Sequence, residues 1–214
     1  GEGYGVTELA PKSTKYIAVD KYDSPISKKV KDNNNIEFKQ MNVPPLQGIE
    51  ENSIDYVVTF QVIEHIQNDE QFVKEIHRVL KPGGKLILTT PNLLMSLSRN
   101  PWHTREYTPQ SMRDILEISF ADIEMNGVFG NEKIMQYYNA NKKSVERIRK
   151  WDIFKTEKNM PRRLLQVPYD ILNRFNRHKL QDKNESLVND VKYTDYSISE
   201  MTDKCLDYFC IATK

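Results

Sequence analysis

One stretch of the chain decides the fold: Arg78-Val79-Leu80-Lys81-Pro82-Gly83-Gly84-Lys85-Leu86-Ile87-Leu88. It joins a helical pattern over residues 69–80 to an apolar strand over residues 85–90, through a tight turn at Pro82-Gly83-Gly84. Ahead of it, the β-branched run Ile54–Phe60 predicts a buried strand. Strand, helix and strand in this order indicate a parallel sheet covered by helices.

The same alternation continues on both sides of this stretch. Further strands are predicted at residues 15–20, 36–41, 121–128 and 206–212, and helices at 6–10, 24–30 and 110–118. The last helix opens with Thr108-Pro109, a capping residue followed by a first-turn proline. The sequence therefore predicts a mixed α/β fold.

Glycines dominate the start of the chain, Gly1-Glu2-Gly3-Tyr4-Gly5. A glycine-rich turn before a helix lets backbone N–H groups approach a ligand closely. Asp20 ends a predicted strand 17 residues after Gly3, which is the position from which a carboxylate binds ribose hydroxyls. Lys21 is the only adjacent cation, so these residues alone also allow a nicotinamide cofactor or a simple turn-capping role for Asp20.

Together with Asp55-Tyr56-Val57-Val58 and Glu64-His65, these pieces resemble the class I S-adenosylmethionine-dependent methyltransferases over residues 1–129 and the last strand. The resemblance implies a Rossmann-like three-layer sandwich with a mostly parallel, seven-stranded sheet and an antiparallel last strand. It also implies S-adenosylmethionine as cofactor. No stretch of the chain matches that fold's first strand, so we expect further residues upstream of Gly1.

The resemblance implies cofactor-binding residues at the glycine turn and at strand ends: Gly1, Glu2, Gly3, Asp20, Lys21, Asn42, Val43, Phe60 and Gln61. Asn42 stands where the family usually has an aspartate for the adenine amino group. An amide oxygen can accept the same hydrogen bond. The alternative is a turn asparagine before Pro44-Pro45.

Methyl transfer to a hydroxyl requires a base, and histidine is the natural one near neutral pH. We predict Glu64, His65 and His103 as catalytic residues. The alternative is that Glu64 and His65 only pack within their helix. In ubiquinone-pathway and small-RNA methyltransferases a Glu-x-x-Glu-His motif binds a divalent metal. Because Gln61 replaces the first glutamate here, no metal ligand is assigned.

Residues 100–108 resemble a segment of bacterial enzymes that methylate sugars. That resemblance implies substrate contacts for Arg105 and Tyr107, although Tyr107 could instead pack onto the next helix. Residues 131–190 carry 14 basic and 8 acidic side chains, with aromatic residues at helical spacing. We predict a helical insertion here, broken at Pro161 and Pro168, which serves as lid, specificity element or dimer contact. Residues 1–130 and 191–214 then form the cofactor-binding domain.

Bulk properties exclude some partners. The formal charge is +1, from 31 basic and 30 acidic residues, which argues against nucleic-acid binding. No apolar run approaches the ~20 residues of a membrane helix. Cys205 and Cys210 would lie ~16 Å apart along a strand, too far for a disulfide, which favours the cytoplasm.

The predicted function is O-methylation of a small molecule, either an anionic compound or a sugar. Two alternatives stay open: a non-catalytic module that binds S-adenosylmethionine, and an RNA 2′-O-methyltransferase. The sequence also allows a homodimer.

Overall fold

The computed structural model describes residues 3–23, 34–151, 161–162, 164–167, 169–171 and 191–214. The chain divides into two compact units, Gly1–Glu50 and Glu51–Lys214. The predicted helix over residues 24–30 lies outside the described residues, as do Gly1 and Glu2. No helix in the described ranges is long and apolar enough to cross a membrane.

The first unit begins with α1 (Tyr4–Leu9), directly after Gly3. Gly3 has a φ of 85°, a left-handed conformation that glycine adopts without steric penalty. Strands β1 (Tyr16–Asp20) and β2 (Ile36–Gln40) follow and pair in parallel. Their carboxyl ends therefore meet at the same edge of the sheet. Buried Val6, Ala10 and Ala18 form the core of this unit.

The second unit contains a five-stranded sheet of order β3-β4-β7-β5-β6. The strands are β3 (Ile54–Phe60), β4 (Leu80–Pro91), β5 (Asp122–Gly130), β6 (Tyr196–Glu200) and β7 (Asp207–Thr213). β3 and β4 are parallel, and β7 runs antiparallel between β4 and β5. The predicted mixed α/β class and the antiparallel last strand are confirmed. As a result, the amino end of β7 lies beside the carboxyl end of β4.

Three helices of this unit were predicted from sequence patterns. α2 (Asp69–Val79) buries its apolar stripe, Phe72, Val73, Ile76 and Val79. α3 (Pro109–Glu117) starts at Thr108, whose side chain accepts a hydrogen bond from the Ser111 N–H. α4 (Glu132–Trp151) lies in the predicted insertion, and residues 164–167 are also helical. Pro168 lies outside the described residues.

Several predictions on strands differ from the structure. The turn at Pro82-Gly83-Gly84 lies inside β4, where the pairing register with β3 shifts and Gly83 has a φ of 79°. The extra residues of β4 at this point coincide with the predicted turn, which interrupts the pairing with β3 without ending the strand. β6 was not predicted: it is a short strand, Tyr-Ser-Ile-Ser-Glu, and all five of its residues are exposed. In place of one seven-stranded sheet, the described residues form a two-stranded and a five-stranded sheet.

Candidate active site

In the first unit, the predicted cofactor residues lie at the carboxyl edge of β1 and β2. Asp20 ends β1, and its backbone carbonyl accepts a hydrogen bond from Met41 N–H, 2.9 Å away, just past β2. The exposed Asn42 is the next residue. Val43 follows and is half-buried. Asp20 and Asn42 therefore stand at neighbouring strand ends, as an adenosine ligand requires.

The Asp20 carboxylate accepts a hydrogen bond from the Tyr22 N–H, 3.0 Å from Oδ1. An ionised carboxylate at a strand end suits a pair of ribose hydroxyls. Lys21 next to it is exposed, with its ammonium 4.8 Å from the centre of the Tyr22 ring. These residues and the left-handed Gly3 are those that the sequence predicts to bind the cofactor.

In the second unit, Phe60 and Gln61 end β3. Phe60 is 51% exposed, and Gln61 has a φ of 56°, which is unusual for a residue with a side chain. The Gln61 N–H donates to Thr89 O at 2.9 Å, which holds this strained turn against β4. The Gln61 side-chain amide hydrogen-bonds Asp207 at the start of β7. Burial raises the pKa of Asp207 to about 6. The hydrogen bond from the Gln61 amide acts to lower this pKa, whereas the negative charge of Glu64 acts to raise it.

Glu64 lies in a 3-10 turn, Ile63–His65, just after β3. Its side chain is buried, and Thr90 Oγ1 donates to Oε2 at 3.0 Å. Burial raises the pKa of Glu64, although the Thr90 hydrogen bond and nearby His65 oppose the shift. A buried carboxylate that keeps these partners is available to stabilise a positive charge beside it.

His65 has a defined tautomer. Its Nδ1 lies 2.9 Å from the backbone oxygen of Trp102, and because a carbonyl only accepts, Nδ1 carries the proton. The lone pair then belongs to Nε2. Within the described parts of the chain nothing hydrogen-bonds Nε2, and Glu64 Oε1 lies 4.0 Å from it. With the side chain 45% exposed, Nε2 can receive a proton from an incoming ligand.

His103 is engaged at both ring nitrogens. Nδ1 donates to Glu106 Oε1 at 2.8 Å, and Nε2 accepts from Asn100 Nδ2 at 2.8 Å. The side chains of His103 and Glu106 are largely buried, at 14% and 11% exposure. The His103 ring meets the His65 ring edge to face, with centroids 4.9 Å apart. His103 therefore supports the position of His65 in this structure.

Thr104 joins the two histidine segments. Its N–H donates to Glu64 O at 2.6 Å, and its hydroxyl contacts both Glu64 O at 2.9 Å and Ile66 O at 2.8 Å. These hydrogen bonds span about forty residues of sequence and fix the 3-10 turn against the loop that carries His103. The relative placement of the two histidines depends on this side chain.

The two predicted substrate residues have different environments. Arg105 is 55% exposed, with Nη1 2.8 Å from Oδ2 of the buried Asp69. Tyr107 is fully buried, and its hydroxyl donates to the same Asp69 oxygen at 2.8 Å. Burial and the Asp69 carboxylate raise the pKa of Tyr107. A substrate contact for Tyr107 was therefore the wrong interpretation, because its side chain packs in the core ahead of α3.

The cluster of Glu64, His65 and His103 has the residue types of a metal site. Glu64, His65 and His103 offer ligand atoms that all lie within 4.8 Å of one another. His103, however, has both ring nitrogens bonded to protein groups, and Gln61 turns its amide toward Asp207. The cluster as it stands fits hydrogen-bonded proton transfer better than metal ligation.

Four residues of the site were missed at the sequence level: Thr90, Thr104, Glu106 and Asp207. Glu106 is three residues from His103, a spacing that could have indicated the pair. Asp207 opens an antiparallel strand, so it lies at the edge where parallel strands end. Thr90 and Thr104 gain their roles only through partners distant in sequence.

The fold is a Rossmann-like α/β fold, and comparisons with known proteins show what the chain is similar to. A family model for the methyltransferase domain matches residues 1–88. A Mycobacterium tuberculosis protein named a probable S-adenosylmethionine-dependent methyltransferase is 35% identical over 140 residues, which make up 63% of this chain and 51% of that protein. A similarly named protein of Mycolicibacterium smegmatis is 35% identical over 135 residues, 60% of this chain and 52% of its own.

Solved structures agree on the fold. An S-adenosylmethionine-dependent methyltransferase from Archaeoglobus fulgidus matches with a TM-score of 0.53 and 14% identity, over 98% of this chain and 80% of its own. These matches confirm the predicted resemblance to S-adenosylmethionine-dependent methyltransferases and the predicted α/β fold, and they support S-adenosylmethionine as the cofactor. The chain spans about half the length of the curated relatives it matches.

Proposed function

We propose that the protein moves a methyl group from S-adenosylmethionine to an oxygen of a small-molecule acceptor, with His65 as the general base. The hydrogen bond from His65 Nδ1 to Trp102 O carries this proposal, because it leaves the Nε2 lone pair exposed near the ends of β3 and β4. S-adenosylmethionine, when bound, would supply the electrophilic methyl group that is transferred to the acceptor oxygen. His65 Nε2 takes the hydroxyl proton.

The neighbours of His65 support the charge that forms on it. Once protonated, its imidazolium stands 4.0 Å from the Glu64 carboxylate, in a place where burial strengthens the attraction. The His103 ring packs against the other side, and Glu106 holds that ring in place. Glu106 is a positioning residue in this scheme. His103 is also a positioning residue as long as its Nε2 accepts the hydrogen bond from Asn100.

The residues proposed to bind the cofactor are those predicted from the sequence. Asp20 accepts hydrogen bonds from the ribose hydroxyls with Lys21 beside it, and Asn42 with Val43 receives the adenine. The turn that includes Gly1, Glu2 and Gly3 holds the methionine part, and Phe60 and Gln61 line the methyl pocket. Each described residue in this set lies at a strand end or helix start, where open α/β sheets bind ligands.

The acceptor is assigned as a sugar or another small hydroxyl compound. The reaction is assigned to the reducing environment of the cytoplasm. Both cysteines are buried free thiols, which supports that environment. An RNA acceptor finds less support, because the chain is close to neutral overall.

Replacing His65 tests this function. Full-length protein is incubated with methyl-labelled S-adenosylmethionine and a panel of sugars, sugar phosphates and phenols. His65→Ala should reduce transfer by about 10²–10⁴-fold, while calorimetry shows the affinity for S-adenosylhomocysteine unchanged. A variant with full activity would refute the assignment of His65. Cofactor binding without transfer to any acceptor, or transfer to RNA alone, would favour the two alternatives.

A further inference from the structure

An open pocket of about 380 Å³ lies beside the histidine cluster. Its lining comprises residues 101–105, Ile66 and Gln67, together with Arg162 and Gln166 from the insertion. The pocket therefore combines the loop that carries His103 with the helical residues that follow α4. His103 lines the pocket, and its ring meets the His65 ring with centroids 4.9 Å apart.

The charged residues that line this pocket are both cationic. Arg105 is fixed by its ion pair with Asp69 Oδ2, at 2.8 Å through Nη1, so its remaining N–H groups stay oriented. Arg162 is exposed and forms no ion pair with any residue in the described ranges. Two guanidinium groups without an acidic lining residue are the arrangement that binds phosphate or carboxylate oxygens.

Trp102 gives the pocket a fixed aromatic wall. Its indole Nε1–H donates to Asp170 Oδ1 at 3.0 Å, which ties the loop to the helical residues 169–171. The ring is nevertheless 48% exposed. Because the polar end of the indole is bound to protein, its faces are available for a ring of the ligand.

We propose that this pocket binds an oxyanion of the acceptor, a phosphate or a carboxylate, through Arg162 and Arg105, while Trp102 contacts a sugar or other ring. The inference rests on the proposed function, because the same loop carries both the pocket and the histidine cluster. It identifies the acceptor as an acidic small molecule. It also gives the insertion a role, since Arg162 supplies one of the two cations.

Fluorescence of Trp102 tests the proposal. The chain has two tryptophans, so the Trp151→Phe background of the full-length protein reports Trp102 alone. The probes are glucose 1-phosphate, glucuronate and neutral glucose, with an RNA oligonucleotide as a further arm. We expect saturable binding of at least one acidic sugar, weakened at least tenfold by Arg162→Gln. The matched control, Arg147→Gln on α4, removes the same charge outside the pocket and should change binding less than twofold.

Each outcome decides the matter. Tighter binding of glucose 1-phosphate or of glucuronate supports the proposal and identifies the oxyanion as phosphate or carboxylate. Equal binding of glucose, equal weakening by the two arginine variants, no saturation, or preference for RNA overturns it. Calorimetry with S-adenosylhomocysteine on the same samples separates the two proposals. Cofactor binding without acidic-sugar binding defeats only the pocket, whereas lost cofactor binding defeats the proposed function.

Discussion

The Nδ1 atom of His65 lies 2.9 Å from the backbone oxygen of Trp102, and this contact decides which ring nitrogen can act as a base. The oxygen belongs to the same loop that carries His103 and Arg105. Acceptor recognition and proton removal are thereby coupled through one segment. A change that moves the loop should alter both together.

The first prediction concerns Thr104, which fixes this loop to the turn around His65. Thr104→Val removes a hydroxyl whose single proton is shared between Glu64 O and Ile66 O, at 2.9 and 2.8 Å. We expect the free energy of unfolding to fall by about 1–3 kcal/mol, because the carbonyls lose a partner. Urea denaturation measures the change. Thr104→Ser keeps the hydroxyl and should lie within ~0.5 kcal/mol of wild type, and an equal loss in both variants would contradict this role.

Glu106 should matter through His103. Glu106→Ala removes the acceptor 2.8 Å from His103 Nδ1 and frees that ring. We expect kcat to fall by about tenfold with little change in the KM for S-adenosylmethionine, measured by methyl-transfer assays. Glu106→Gln keeps an acceptor oxygen and should recover most of kcat. If alanine and glutamine give the same kcat, the carboxylate does not position the histidine.

Asp207 should make stability depend on pH. Its pKa is about 6 in the folded protein against an ordinary value of 3.8, because burial disfavours its charge. The folded state therefore binds the proton more tightly, and stability falls as pH rises from about 4 to 6. Asp207→Asn should remove this loss and raise the free energy of unfolding by about 2 kcal/mol at pH 8, but not near pH 4.

Urea denaturation at pH 4, 5, 6 and 8 measures this effect. The exposed Asp122→Asn on β5 serves as the control and should show no such pH-dependent gain. A gain for Asp207→Asn that is the same at pH 4 and pH 8 would show that the carboxylate is not the cause.

Chelation tests the interpretation of the Glu64, His65 and His103 cluster. Because both His103 nitrogens are bonded to protein groups, we expect dialysis against EDTA to leave methyl transfer within twofold of the untreated protein. Added Mg²⁺ or Zn²⁺ should not increase it. Activity that is lost on dialysis and restored by one cation would make the cluster a metal site and remove the argument for His65 as base.

Local patterns predicted much of the fold. The helical stripe of α2 and the Thr108-Pro109 start of α3 are encoded within a few residues, and both helices form as predicted. β6 escaped prediction because it is short and only Tyr196 and Ile198 in it are apolar. Its pairing with β5 comes from the tertiary structure.

The site was less predictable than the fold. Residue type indicated His65 and His103, but their different roles depend on partners that only the folded chain brings close, such as Trp102 O for His65. Tyr107 was misassigned because a tyrosine beside an arginine gives no sign of its burial. The Thr104 hydrogen bonds to Glu64 and Ile66 have no local signal in the sequence.

Calorimetric titration of S-adenosylhomocysteine into full-length protein tests the central claim most directly. The ionised Asp20 should bind the ribose, so Asp20→Asn should weaken the affinity by about 10–100-fold. The exposed Asp23→Asn, three residues away, should change it less than twofold. No heat with the wild-type protein, or equal affinities for the two variants, would contradict the assignment of the cofactor to this strand end.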